Sequence, residues 1–206
     1  MYESKNKEDK DLQTIKELGA KHSGIVTTRQ IEEAGLYRGM LKKYVDEGVL
    51  VKESQGVYSL ASEFPDEYVL LQRRSEKMIF SYGSALYLWG MSDRVPHVLH
   101  VTVPQGFNSV RIKKDNAKIK FHYVKKELWD IGITTTQTNL DNVARLYDKE
   151  RCVCDLIMLK DEVDKQIYIQ AIKEYFKGSN DIGKLLEYAK IFQIEEKVRD
   201  YMEVLT

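Results

Sequence analysis

Arg38, Lys42 and Lys43 are spaced so that a helix through them carries all three cations on one exposed side. Lys52 and Gln55 follow in a polar stretch, and Thr28 and Arg29 precede the group. Guanidinium, ammonium, amide and hydroxyl groups in such a set suit a binding task. They hold the phosphates of a duplex and read base edges in a groove, with no bond made or broken.

Those side chains need elements to present them, and residues 27–60, TTRQIEEAGLYRGMLKKYVDEGVLVKESQGVYSL, supply them. Thr27 or Thr28 is an N-cap, Ile31 and Ala34 are apolar positions of a short helix, and Gly35 ends it. A second helix is predicted over about 37–47, with Met40, Leu41, Tyr44 and Val45 as its apolar stripe and Gly48 as its stop. Val49–Val51 and Val57–Leu60 then flank a polar tip, Lys52–Gly56, which predicts a hairpin. Helix, turn, helix and β-wing in that order predict a winged helix-turn-helix whose second helix lies in the major groove. Arg38, Lys42 and Lys43 would face the groove. Lys52 and Gln55 would touch the duplex from the wing, and Thr28 and Arg29 would meet phosphate at the first helix's start. Winged helices also serve as protein-binding modules, so the pattern alone leaves that reading open.

The 206 residues leave room for two small domains, and 43% hydrophobic content suffices for real cores. Lys+Arg and Asp+Glu both total 32. Residues 1–65 hold 10 basic and 11 acidic side chains, 66–130 hold 11 and 7, and 131–206 hold 11 and 14. The N-terminal part is therefore not basic overall, and its case rests on local placement. The polar start MYESKNKEDKD resembles no signal peptide, and no apolar run reaches the length of a membrane span. Cytoplasmic location without membrane contact is the expectation.

Residues 1 to about 9 read as frayed, and Leu12, Ile15 and Leu18 outline a helix that completes a three-helix core. The region around Pro65 loses periodicity, which puts a winged helix-turn-helix domain at 1–62 and a second domain at 66–206. The second domain is predicted as a mixed α/β unit with a small sheet and a helical C-terminal part, making the whole chain α+β. Helical pattern is read from Tyr68 to Phe80 and over 81–90, and strands over 97–103, 110–112 and 118–124. Thr134–Thr138 reads as a connector, and helices are predicted at 141–147, 149–159, 162–177, 180–191 and 193–204.

Other chemistry finds less support. Cys152 and Cys154 lie two apart in a helical stretch, where side chains diverge by about 200° and cannot easily share a metal. His97 and His100 fall on opposite faces of a strand, and His100 and His122 are placed facing solvent on neighbouring strands. No G-x-S-x-G, Walker or dinucleotide-binding motif occurs, so no catalytic residue, metal or cofactor is assigned. Arg111, Lys113, Lys114, Lys118, Lys120, Lys125 and Lys126, interleaved with Phe121, His122 and Tyr123, are either a second nucleic-acid or partner patch or a solvated hairpin edge.

The second half carries a resemblance. SALYLWGMSDRVPHVLHVTVPQG (84–106), NLDNVARLYDKERCVCDLIM (139–158), QAIKEYF (170–176) and LLEYAKIF (185–192) are similar to the AbiEi family. With the N-terminal segment, the likeness spans nearly the whole chain. Ser84, Asp93, Arg94, Pro96, Glu150, Arg151, Cys154 and Asp155 match its recurring positions. The run from Arg111 to Lys126 matches no motif of the family. The resemblance implies a type IV toxin–antitoxin antitoxin, associated with phage abortive infection. Such an antitoxin represses its own operon by binding inverted repeats in promoter DNA. It counters an AbiEii-like nucleotidyltransferase toxin without a stable complex. Asp93–Arg94, and Arg151 with Asp155, are read as turn and helix–helix polar contacts. The alternatives are a module that caps the toxin directly, or a nucleic-acid-processing enzyme using Asp155.

Overall fold

Apolar residues recur every third position along the first helix, and that spacing fixes the face it buries. The computed structural model describes residues 2–178 and 180–205, with only the backbone for 2–8. Helix α1 (Tyr2–Lys21) buries Ile15 completely and lays Leu12 and Leu18 against the same cluster. Its backbone is helical from Tyr2, where fraying to about residue 9 was expected; Met1 lies outside the described residues. A three-residue strand, β1 (Ile25–Thr27), follows and leads into α2 (Thr28–Glu33). Helix α3 (Met40–Asp46) and the hairpin β2 (Leu50–Ser54) and β3 (Val57–Leu60) complete the group.

Strand β1 was not anticipated. Its Ile25 and Val26 are fully buried, and it pairs antiparallel with β3 to give the order β1-β3-β2. The hairpin tip shrinks to Gln55–Gly56, because a bulge between Lys52 and Ser54 lets the strands run further than the polar composition suggested. Ile15, Val26, Ile31, Leu41, Tyr44, Leu50 and Leu60 form one core. Each such side chain contributes about 1.5–3 kcal/mol by leaving water.

Compactness divides the chain into Met1–Ser75 and Glu76–Thr206. Helix α4 (Glu67–Gln72) falls within the first unit, since its Val69 and Leu70 pack on Ile25 and Val57. It had been placed with the second domain because Pro65 interrupts the pattern just before it.

The second unit is built on a five-stranded sheet of order β6-β5-β4-β8-β7. Its elements in chain order are β4 (Ile79–Phe80), α5 (Tyr82–Leu88), β5 (Leu99–Pro104), α6 (Val110–Asp115), β6 (Ile119–Val124) and α7 (Lys126–Trp129). Then come β7 (Ile133–Gln137), β8 (Val143–Tyr147), α8 (Lys149–Met158), α9 (Lys165–Lys177), α10 (Ile182–Ile191) and α11 (Glu195–Leu205). Strands β5 and β6 run parallel, as do β4 and β8, while β4–β5 and β7–β8 are antiparallel. Helix α8 packs against α5, α9, α10 and α11, which explains why nearly all its side chains are buried. The chain is thus mixed α+β, with helices around two small sheets.

Four expectations in this unit change. Residues 79–80 form a strand instead of continuing a helix, because Met78, Ile79 and Phe80 are all fully buried and a central strand is apolar on both faces. Residues 110–112 lie on helix α6. Only Ile112 turns inward while Val110, Arg111, Lys113 and Lys114 stay exposed, the signature of one buried residue per turn. Thr134–Thr138 and 141–147 form the β7–β8 hairpin, with Thr135 opposite Arg145. Its tip is closed by the Thr138 hydroxyl, which accepts the N–H groups of Leu140 and Asn142, and by Asp141 at φ 58°.

Candidate nucleic-acid interface

On α3, Leu41 and Tyr44 face the core, and Met40 and Val45 are half-buried. That leaves Lys42, Lys43, Asp46 and Glu47 pointing outward. Lys43 Nζ lies 3.8 Å from Glu47. The exposed face is therefore polar in sign, with cations on its leading half and acids at its trailing end. An element that enters a groove N-terminus first would present only the cations to phosphate.

Arg38 is not on that helix. Tyr37 and Arg38 accept the N–H groups of Met40 and Leu41 at 3.0 and 3.2 Å, so 37–40 is a turn and the helix proper begins three residues later than the spacing predicted. The poor helix former Gly39 is the physical reason. Arg38 nevertheless projects into solvent, 3.9 Å from Glu32 of α2.

The start of α2 is closed by a capping box. Thr27 Oγ1 accepts the Gln30 N–H at 3.2 Å, and Gln30 Oε1 accepts the Thr27 N–H at 2.8 Å. The Thr28 N–H donates to Gly56 O in the hairpin tip at 2.9 Å. The Thr28 amide, expected to meet phosphate, is thus already occupied, and that bond instead brings Thr28 to the tip that carries Gln55. Arg29 is exposed and paired with Glu33 at 2.7 Å. Lys52 is exposed on β2, next to Glu53, whose carboxylate accepts the Ser59 hydroxyl at 2.5 Å. All seven residues expected to touch DNA fall in the first unit, spread over α2, the α2–α3 turn, α3 and the hairpin.

The basic residues of the second unit are arranged differently from a hairpin. Arg111, Lys113 and Lys114 lie on α6, Lys118 precedes the edge strand β6, Lys120 is on it, and Lys125 and Lys126 lead into α7. Lys113 Nζ sits 5.5 Å from the centre of the Phe121 ring and 5.9 Å from that of Tyr123. The Tyr123 hydroxyl is 2.6 Å from Ser109 Oγ.

His100 and His122, expected in solvent, are half-buried and meet at 3.1 Å between Nδ1 and Nε2. Strand register makes them diagonal neighbours, and the Tyr82 ring of α5 covers His122 at 4.0 Å. Burial, then Lys120, lowers the His100 pKa to about 4. Burial, then His100 and Lys120, lowers that of His122 to about 3. Both folded values lie below the ordinary one of about 6.5, so the stability they carry is complete above pH 6.5 and is lost as pH falls toward 4. One proton taken up on unfolding is worth at most about 1.4 kcal/mol per pH unit, less where water reaches the ring. We expect the melting temperature to fall between pH 6.5 and 4.5 and that fall to shrink in His122→Gln. Parallel pH profiles for both proteins would contradict this.

Cys152 and Cys154 are buried, and burial raises the Cys154 thiol to about 12 and that of Cys152 as well. Among the described residues no group of three or more His, Cys, Asp or Glu is placed to hold a metal, and no helix is long and apolar enough to cross a membrane. Asp93 and Arg94, expected in a turn, lie in the loop between α5 and β5, with a bend at Arg94. The Asp93 N–H reaches Gln170 Oε1, and Arg94 bonds Gln166 and lies 3.4 Å from Asp164, which ties that loop to α9. Arg151 and Asp155 are paired within α8 at 2.9 Å, not between helices, because they are four residues apart on the same face.

Residues 13–61, which include all seven first-unit candidates, match the model of the family described as transcriptional regulator, AbiEi antitoxin. No curated protein matches the chain. Among solved structures, the chain is similar to the RV2827C protein from Mycobacterium tuberculosis, at 12% identity over 86% of this chain and 70% of that one, with a TM-score of 0.62. That likeness is one of fold.

Proposed function

We propose that this protein is an AbiEi-type antitoxin and a transcriptional autorepressor. Its first unit acts as a winged helix-turn-helix on inverted repeats in the promoter of its own operon. The observation that carries the reading is the match of residues 13–61 to a family of antitoxin transcriptional regulators, over the segment whose α3 turns Lys42 and Lys43 outward. In this reading α3 enters the major groove by its cationic end, with Arg38 beside it. Lys52 and Gln55 touch the duplex from the hairpin, and the side chains of Thr28 and Arg29 meet phosphate. The second unit counters an AbiEii-like nucleotidyltransferase toxin in the type IV manner, without a stable complex. The α6–β6 cations, from Arg111 to Lys126, serve as a second contact to a nucleic-acid backbone or to a partner. The protein works in the cytoplasm and catalyses no reaction.

A mobility-shift titration on the DNA upstream of the gene, against a scrambled duplex and at two salt concentrations, tests the repressor. Specific shifts in two steps, weakening steeply with salt, are expected for two half-sites. Equal binding of both duplexes would overturn it. Co-purification of a stoichiometric complex with the toxin would replace the type IV reading with direct capping. Turnover of labelled DNA or RNA in magnesium would replace it with an enzyme.

A further inference from the structure

Tyr37 has no assigned role, yet it is 74% exposed in the turn that leads into α3. A solitary exposed aromatic needs no explanation by itself. Tyr37 differs from such a residue in lying over Gly39. A Cβ at Gly39 would lie 2.2 Å from Tyr37 Cε1 and 2.8 Å from Cζ, so the ring rests where a side chain at 39 would stand. Gly39 has φ −62° and ψ −21°, a conformation open to any residue. The backbone does not call for glycine there, and the ring occupies the space that its missing side chain leaves. The Tyr37 carbonyl accepts the Met40 N–H at 3.0 Å, which anchors the residue to the first turn of α3. A flat, solvent-facing ring thus stands at the end of the helix nearest Arg38 and Lys42.

We propose that Tyr37 is a sequence-reading residue that packs its ring on the C5-methyl of a thymine in each half-site. This rests on the DNA-binding reading above. In the major groove thymine alone presents a methyl group, and apolar side chains recognise it by contact. Lysines at neighbouring positions supply charge and no such discrimination. The bare Cα of Gly39 leaves room for the ring beside the first turn of α3.

The test uses the full chain and a duplex enriched by it from a random pool. Each thymine of that duplex is replaced in turn by uracil, which removes only the methyl. One replacement per half-site should weaken the wild type about fourfold, the scale of one buried methylene, and leave Tyr37→Ala unmoved. Tyr37→Phe should behave as wild type. Gly39→Ala should lose as much affinity as Tyr37→Ala and add nothing to it, since both remove the same contact. Thermal melts confirm that each variant is folded. If Tyr37→Ala keeps wild-type affinity, or if Tyr37→Phe loses as much as Tyr37→Ala, the thymine contact is wrong although DNA binding stands. If no duplex is enriched at all, the DNA-binding reading itself fails.

Discussion

Arg151→Ala should lower stability by about 3–5 kcal/mol, the scale for breaking a buried ion pair by removing one partner. The guanidinium is 1% exposed. Its Nε donates to Asp155 Oδ1 at 2.9 Å, and its Nη1 donates to the carbonyls of Leu128 and Ile131 at 2.6 and 3.1 Å. Its Cζ lies 4.3 Å from the centre of the Tyr147 ring and 4.4 Å from that of Phe192. One side chain thus ties α8 to β8, to α7 and the connection that follows it, and to the end of α10. Burial opposes the charge on Arg151, and Asp155 with the Tyr147 hydroxyl outweighs it, so its pKa is raised. Burial pushes Asp155 up to about 6 against the pull of Arg151. Removing the guanidinium leaves what pushes the carboxyl up and takes away most of what holds it down. Arg151→Lys should recover little, because an ammonium cannot serve a carboxylate, two carbonyls and two ring faces at once. Arg151→Met with Asp155→Leu should be more stable than Arg151→Ala, since no unpaired charge remains. Urea or thermal unfolding checks all three. A wild-type midpoint for Arg151→Ala would contradict the argument, as would a double variant no better than the single one.

Arg151 also shows where sequence reasoning reaches and where it stops. The ERCVCDLI stretch reads as helical from local pattern, but its Arg151 and Asp155, expected to make contacts between helices, pair with each other along α8. The two carbonyls that Arg151 holds come from α7 and from the connection that follows it, 23 and 20 residues earlier in the chain, and nothing in the spacing announces them. The same divide runs through the fold. Thr27, Ile31, Gly35, Leu41 and Tyr44 placed α2 and α3 to within a few residues, since caps and 3.6-residue periodicity are written locally. The β7–β8 hairpin was missed. Val143–Tyr147 is a five-residue apolar-rich run that fits either period, and its partner gave only the β-branched run Thr134–Thr136 and an Asn/Asp-rich tip as signals. The meeting of His100 and His122 depends on the parallel register of β5 and β6, a fact of pairing that two separate strand readings do not contain. At the candidate interface, the types of the seven side chains were legible, while the occupation of the Thr28 amide by Gly56 was not.

Lys42→Ala combined with Lys43→Ala should abolish promoter binding at moderate salt and leave the protein folded and able to neutralise the toxin. Both side chains point away from the Leu41–Tyr44 face, and alanine is the best helix former, so α3 gains no packing defect. What disappears is the charge on the leading half of the helix. Losing two contacts at about 1 kcal/mol or more each lowers affinity at least about thirtyfold. If each lysine neutralises a phosphate, the slope of log affinity against log salt should also become shallower by about one per lysine. A lysine that reads a base would instead relax preference at a single operator position without flattening the slope as much. The two singles therefore assign each role. Glu47→Gln is the informative companion: it removes the acid 3.8 Å from Lys43, so it should strengthen binding if Lys43 faces phosphate and change nothing if it faces solvent. Unchanged operator affinity in the double variant would take α3 out of the groove. Loss of toxin neutralisation together with DNA binding, in a protein that still melts cooperatively, would show that one surface performs both tasks. The division of labour between the two units would then have to be abandoned.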